Sequence, residues 1–164
     1  MSDAPTRIVR VADVPALIPE LAHWLWEAFW RHDGHTEAET ADWLATANVP
    51  RGIPQCFVAV QDARPVGVAS LVRHDLPERP DLTPWLANVF VPPEARGRGL
   101  ASRLVRRVEQ AAAEIGTRTL WLYTGTAEGL YTRLGWETVE IFQRYGEPHK
   151  LMRRHFAAST PPEG

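Results

Sequence analysis

The sequence predicts an α/β protein, with one mixed sheet and helices packed on its faces. Three observations predict it. Short alternating or β-branched runs recur at residues 6–11, 55–61, 65–73, 85–91 and 119–124. One long stretch, from Leu100 to Ile115, carries its apolar residues at helical spacing. Between the strongest strand signal and that helix lies a short loop containing Gly97 and Gly99.

The elements follow in order. Residues 6–11 alternate polar and apolar, as a half-buried strand does. Asp13 can cap a following helix with Pro15 in its first turn, but Pro19 falls deeper and predicts a double start or a kink. Ile18, Leu21, Leu25 and Phe29 share one helical stripe; His23, Trp26 and Trp30 mark the next. His32-Asp33-Gly34-His35 breaks the pattern, and Thr36 with Glu39 forms a capping box before a second helix through Trp43, Leu44 and Ala47. After a loop at 48–54, runs at 55–61 and 65–73 read as a hairpin joined by Asp62-Ala63-Arg64. A proline- and charge-rich loop from His74 to Pro84 precedes the strand 85–91, which Pro92-Pro93 stops. In the long helix, Leu100, Leu104, Val108, Ala111 and Ile115 lie on one face, opposite Arg103, Arg106 and Arg107, and Gly116 closes it. A strand at 119–124, a short helix at about 127–134 ended by Gly135, and strands at 137–144 and 150–156 complete the series. Residues 157–164 read as a frayed tail. With neither repeat nor linker, residues 1–164 are expected to form one domain.

Composition narrows the function classes. A net charge of −2 gives no pull toward nucleic acid or an anionic membrane, so neither is expected as a partner. The lone Cys56 allows no internal disulfide and no set of thiolates, and no metal is expected. No apolar run reaches the roughly 20 residues of a membrane helix. The first residues lack the order of a secretory signal, so the expected compartment is the cytoplasm. Four of the seven tryptophans, Trp24, Trp26, Trp30 and Trp43, crowd the first third, where they build a core or wall a pocket.

The chemistry concentrates where the strand 85–91 gives way to the long helix. The first N–H groups of a helix have no internal partner, and its dipole puts partial positive charge there. Gly97 and Gly99 let successive N–H groups turn toward an anion, and Arg96 and Arg98 add guanidinium forks for phosphate oxygens. The loop alone admits two readings, a pyrophosphate cradle or a surface turn. It is not the dinucleotide fingerprint, because Ser102 stands where the third glycine belongs, and no Gly-Lys-Ser/Thr occurs.

The stretch from Val89 to Leu104 resembles the acetyl-CoA signature of the GNAT superfamily of N-acyltransferases, Arg/Gln-x-x-Gly-x-Gly/Ala, met by Arg96, Gly99 and Ala101. Downstream, Ala127-Glu128-Gly129-Leu130-Tyr131-Thr132-Arg133-Leu134-Gly135-Trp136 is similar to the family's Ala-x-x-Leu-Tyr-x-x-x-Gly-Phe/Trp. The resemblance spans about residues 6–156 and implies a GNAT-like acyl-CoA N-acyltransferase fold. That fold is a mixed, mostly antiparallel sheet of about six or seven strands flanked by about four helices. It implies acetyl-CoA as co-substrate and an amine as acceptor, in a monomer or homodimer. By resemblance, the backbone of Arg96, Gly97, Arg98, Gly99, Leu100, Ala101 and Ser102 would hold the pyrophosphate. Val89, Phe90 and Val91 would pair with the pantetheine arm, and Tyr131 would protonate the departing thiolate. A thiol near ~8.5 and a phenol near ~10 make that transfer feasible. Thr124 stands where many relatives have Asn and would contact the cofactor through its hydroxyl; Ala87 stands where many have a Glu and cannot be a base.

A base is still needed, because an alkyl ammonium of pKa near ~10.4 cannot attack. In the loop 74–81, Asp75 and Asp81 would attract a cationic amine and His74 would take its proton; the other reading is a solvated loop with Asp75 paired to Arg79. Asn88 would orient a water or serve the sheet, while Trp26, Trp30 and Trp85 (with His23) would wall the acceptor or pack the first helix. The leading expectation is transfer from acetyl-CoA to a small cationic primary amine by direct attack in a ternary complex. The alternatives are a protein N-terminus or lysine as acceptor, or a CoA-binding module without turnover.

Overall fold

The computed structural model describes residues 4–157. Beyond Ala157, the expected tail lies outside the described residues. Seven strands form one sheet in the order β1-β2-β3-β4-β5-β7-β6. They are β1 Arg7–Arg10, β2 Gln55–Gln61, β3 Arg64–Val72, β4 Trp85–Phe90, β5 Thr119–Thr124, β6 Glu137–Arg144 and β7 Glu147–His155. Four α-helices accompany them: α1 Ile18–Ala28, α2 Glu37–Thr46, α3 Leu100–Glu114 and α4 Glu128–Arg133. Every neighbouring pair runs antiparallel except β4 and β5. This is the mixed sheet that the patterning predicts, mostly antiparallel as the resemblance implies.

Alternation along the central strands decides where the helices go. Phe57, Ala59, Ala69 and Leu71 face α3, where Leu100, Leu104, Val108 and Ala111 cover them. Cys56, Val58, Val60 and Val68 face the opposite side, against Leu21 and Leu25 of α1 and Leu44 of α2. Period-2 strands buried on both faces thus meet period-3.6 helices on both faces. Gly67 lets α3 approach closely: a Cβ there would lie 2.7 Å from Leu104 Cδ1.

Three local expectations are corrected. Asp13 does not cap α1; it ends a short 3-10 turn, a second turn spans Pro15–Leu17, and α1 begins at Ile18 with Pro19 in its first turn. Pro19 therefore sits where its missing N–H has no intrahelical use. The β2–β3 turn is Asp62-Ala63 alone, both at positive φ, so β3 starts one residue early. The last hairpin also turns more tightly, on Tyr145 and Gly146, and β7 begins at Glu147 instead of Lys150. Pro148 is tolerated because β5 pairs β7 only from Lys150 onward.

Thr36 caps α2 as the sequence predicts: its Oγ1 accepts the Glu39 N–H at 3.0 Å. Thr36→Ala should cost about 1 kcal/mol in urea unfolding, with no change in fold.

Candidate active site

The sheet splits between its two parallel strands. β4 and β5 share one rung, Trp85 opposite Trp121, reinforced by the Trp121 N–H donating to Pro84 O at 3.1 Å. Past that rung they part, because β4 carries an extra residue. One residue separates Val68 from Ser70 on β3, while two separate their partners Phe90 and Ala87. The surplus is absorbed at Asn88, whose φ of 57° is left-handed, a conformation Asn tolerates better than most residues. Trp30 holds the bulge, its Nε1 donating to Asn88 Oδ1 at 3.1 Å.

The split opens a cleft of about 1270 Å³ that joins the two faces of the sheet. On the α3–α4 face it is lined by Leu86, Leu122, Ala101 and Tyr131. On the other face lie Ala87 and Tyr123. Val89, Phe90 and Val91 form one wall, Thr124 and Gly125 the facing one.

At the mouth of the split α3 begins without a side-chain cap. Gly97 and Gly99 stand at φ 81° and 75°, and a Cβ on either would meet nothing within 4 Å. Backbone conformation therefore demands glycine, and the space before the helix start is open. The first-turn N–H groups from Leu100 to Ser102, at the positive end of a 15-residue helix, fit a pyrophosphate. Leu100 itself packs its side chain into the core. Arg96 lines the cleft and donates through Nε to Val91 O at 2.9 Å. Arg98 points elsewhere, to Gln61 Oε1 at 3.2 Å and Glu94 O at 3.3 Å. Thr124 Oγ1 accepts the Ala127 N–H at 3.0 Å and so secures the entry to α4.

Tyr131 is almost wholly buried, edge-on to Trp136, and borders the cleft. Burial raises its phenol pKa, so it holds its proton throughout the neutral range.

On the opposite face an acidic group surrounds one arginine. Arg144 lies over the Tyr123 and Tyr145 rings; it donates to Asp33 at 3.1 Å and to Glu78 at 3.2 Å. The Tyr145 hydroxyl also donates to Asp33. Asp75 borders the cleft beside them. Its carboxyl is closely surrounded by protein while one edge stays open. Burial pushes that carboxyl up, the Arg144 charge draws it down, Asp33 pushes it up again, and it settles at about 7. Three carboxylates against one guanidinium leave this face negative.

The structure brings Val89, Phe90, Val91, Arg96, Ala101, Thr124, Tyr131, Asn88, Trp30, His74 and Asp75 to the cleft. Trp85, Trp26 and Asp81 lie elsewhere. Trp85 is fully buried, its Nε1 donating to Leu82 O at 2.7 Å. Trp26 donates to His35 O on the surface. Asp81, exposed, takes the Arg79 guanidinium at 3.1 Å, so Arg79 pairs with Asp81 and Glu140 and not with Asp75. Sequence reasoning missed Asp33, Tyr123, Arg144, Tyr145 and His149. The break at 32–35 held Asp33 and the gap between the strands at 137–144 and 150–156 held Tyr145 and His149, while Tyr123 and Arg144 read only as strand residues. Among the described residues no helix is long and apolar enough to cross a membrane, and no cluster of three or more His, Cys, Asp or Glu could hold a metal.

A mixed sheet parted between two central parallel strands, with an uncapped glycine-led helix at the opening, defines the acyl-CoA N-acyltransferase fold. Solved structures agree. An acetyltransferase of the GNAT family from Streptococcus pneumoniae superposes with a TM-score of 0.70 at 18% identity, covering 93% of this chain and 100% of that one. An aminoglycoside 6'-N-acetyltransferase complexed with coenzyme A gives 0.71 at 16%, covering 94% and 99%. An acyl-CoA N-acyltransferase from Pseudomonas aeruginosa gives 0.63 at 22%, covering 93% and 99%. No curated protein matches the chain. The model of the acetyltransferase (GNAT) family matches residues 18–136. The chain belongs to the GNAT family of acetyltransferases.

Proposed function

We propose that this protein transfers the acetyl group of acetyl-CoA to a small cationic primary amine, by direct attack with both substrates bound. The carrying observation is the two-faced cleft. One face supplies an anion-ready helix start and Tyr131; the other supplies Asp33, Asp75 and Glu78 around Arg144. A phosphate-bearing thioester suits the first face and an ammonium the second, so the two meet in the gap.

Acetyl-CoA, when bound, supplies an activated acetyl thioester. The α3 N–H groups bind the diphosphate, and the backbone of Val89, Phe90 and Val91, at and just past the end of β4, pairs with the pantetheine arm as a strand would. An N–H in that wall polarises the acetyl carbonyl. Tyr131 holds the proton for the leaving sulfur. The cytoplasm, where acetyl-CoA is abundant, is the compartment this reading implies.

Calorimetry with coenzyme A should give clear binding heat. Thiol release from acetyl-CoA should then exceed background with polyamines or aminoglycosides and fall steeply with neutral or acidic amines. Absence of CoA binding would defeat the reading; turnover confined to peptide N-termini would replace the acceptor.

A further inference from the structure

We propose that Asp75 is the general base, accepting a proton from the acceptor ammonium so that the nitrogen can attack. The inference rests on the function just proposed. Ala87, on the acceptor side of β4, offers only a methyl group, so the proton must go elsewhere. Two carboxylates border the cleft, Asp33 and Asp75; His74, the base expected from sequence, also reaches it but is exposed to solvent. Asp33 is occupied by Arg144 and Tyr145. Asp75 accepts no hydrogen bond and forms no ion pair among the described residues, so its lone pairs are free. It also stands across the sheet from Tyr131: the Tyr123 ring beside it packs on the opposite face. Base and acid thus approach the gap from its two sides, as direct attack requires.

The titratable groups facing Asp75 come from three elements. Arg144 reaches it from β6, Asp33 from the turn after α1, and Tyr123 from β5. Glu78, on its own loop, is tied to Arg144. His149, its ring tilted against that of Tyr123, also lines the cleft. Desolvation outweighs the arginine and leaves Asp75 near the midpoint a general base needs at neutral pH.

The protons balance. Asp75 takes one from the ammonium and returns it to solvent between turnovers. The nitrogen's lone pair forms the C–N bond as the C–S bond breaks, and Tyr131 protonates the sulfur. The nitrogen's second proton, passing through solvent, restores the phenol. The products are an amide, a thiol and one free proton.

The test is the pH dependence of Asp75→Asn, with Asp75→Ser as a second variant. Wild-type kcat/KM for a strongly basic amine should rise along a limb centred near pH 7. In the variant kcat should fall about 10²- to 10⁴-fold and the limb should vanish, while CoA affinity by calorimetry is kept. An amine already neutral at the assay pH, such as hydroxylamine, should lose far less. Stability gives a readout independent of turnover. The folded-state value lies above the unfolded ~3.9, so this group's contribution is complete below that pH and is lost as pH rises toward about 7. The urea midpoint of Asp75→Asn should therefore gain on wild type across that window. A variant that keeps rate and limb overturns the proposal and leaves the acetyltransferase reading standing. Wild type that acetylates no amine removes both.

Discussion

Tyr131→Phe should lower kcat by about 10²-fold or more while leaving coenzyme A affinity within about twofold. The substitution removes one oxygen and keeps the ring that lies edge-on to Trp136 at 6.1 Å, so packing survives. What is lost is a proton held ready inside a buried wall, which water would have to replace. Burial keeps the phenol neutral throughout the working range; its loss should therefore depress the whole pH profile without moving the limb near 7. Steady-state kinetics with calorimetry on the same preparation separates the two effects. A variant retaining more than about a third of wild-type kcat would exclude Tyr131 as the proton donor.

Trp85→Ala should destabilise the fold by about 3–5 kcal/mol, read from urea unfolding. Trp85 is fully buried, so its removal leaves a cavity that its neighbours cannot refill, and it orphans the Leu82 carbonyl that its indole N–H satisfies at 2.7 Å. The same residue forms the single rung between β4 and β5. Loosening it should widen the split, so CoA binding should weaken along with stability. A loss below about 1.5 kcal/mol would mean that the sheet is held together elsewhere.

The parts of this molecule legible in its sequence are those fixed by local chemistry. Period-2 and period-3.6 patterning located every strand and α-helix, and Thr36 with Glu39 marked the start of α2. The phosphate-ready junction at Gly97 and Gly99 was readable because helix-end N–H groups and left-handed glycines act over a few residues. Of the titratable groups on the opposite face of the cleft, only His74 and Asp75 were legible. Asp33, Tyr123 and Arg144 come from three other segments and meet Asp75 only when the sheet forms. Trp85, by contrast, reads in sequence as a possible pocket wall, yet at the parallel rung it is fully buried. The bulge at Asn88 was equally hidden, since it arises from a mismatch in length between β3 and β4.

Most sheets carry their unpaired backbone at the outer margins, where a neighbouring molecule can dock and polymerise. Here a further margin lies within the sheet: beyond the Trp85–Trp121 rung, the side of β4 turned toward β5 has no strand partner among the described residues. That margin is walled by Thr124 and Gly125 of the facing side and lies inside the cleft, not on the outer rim of the sheet. The parting of β4 from β5 thus places an unpaired margin in the interior of the sheet, away from the outer strands β1 and β6 where chains polymerise.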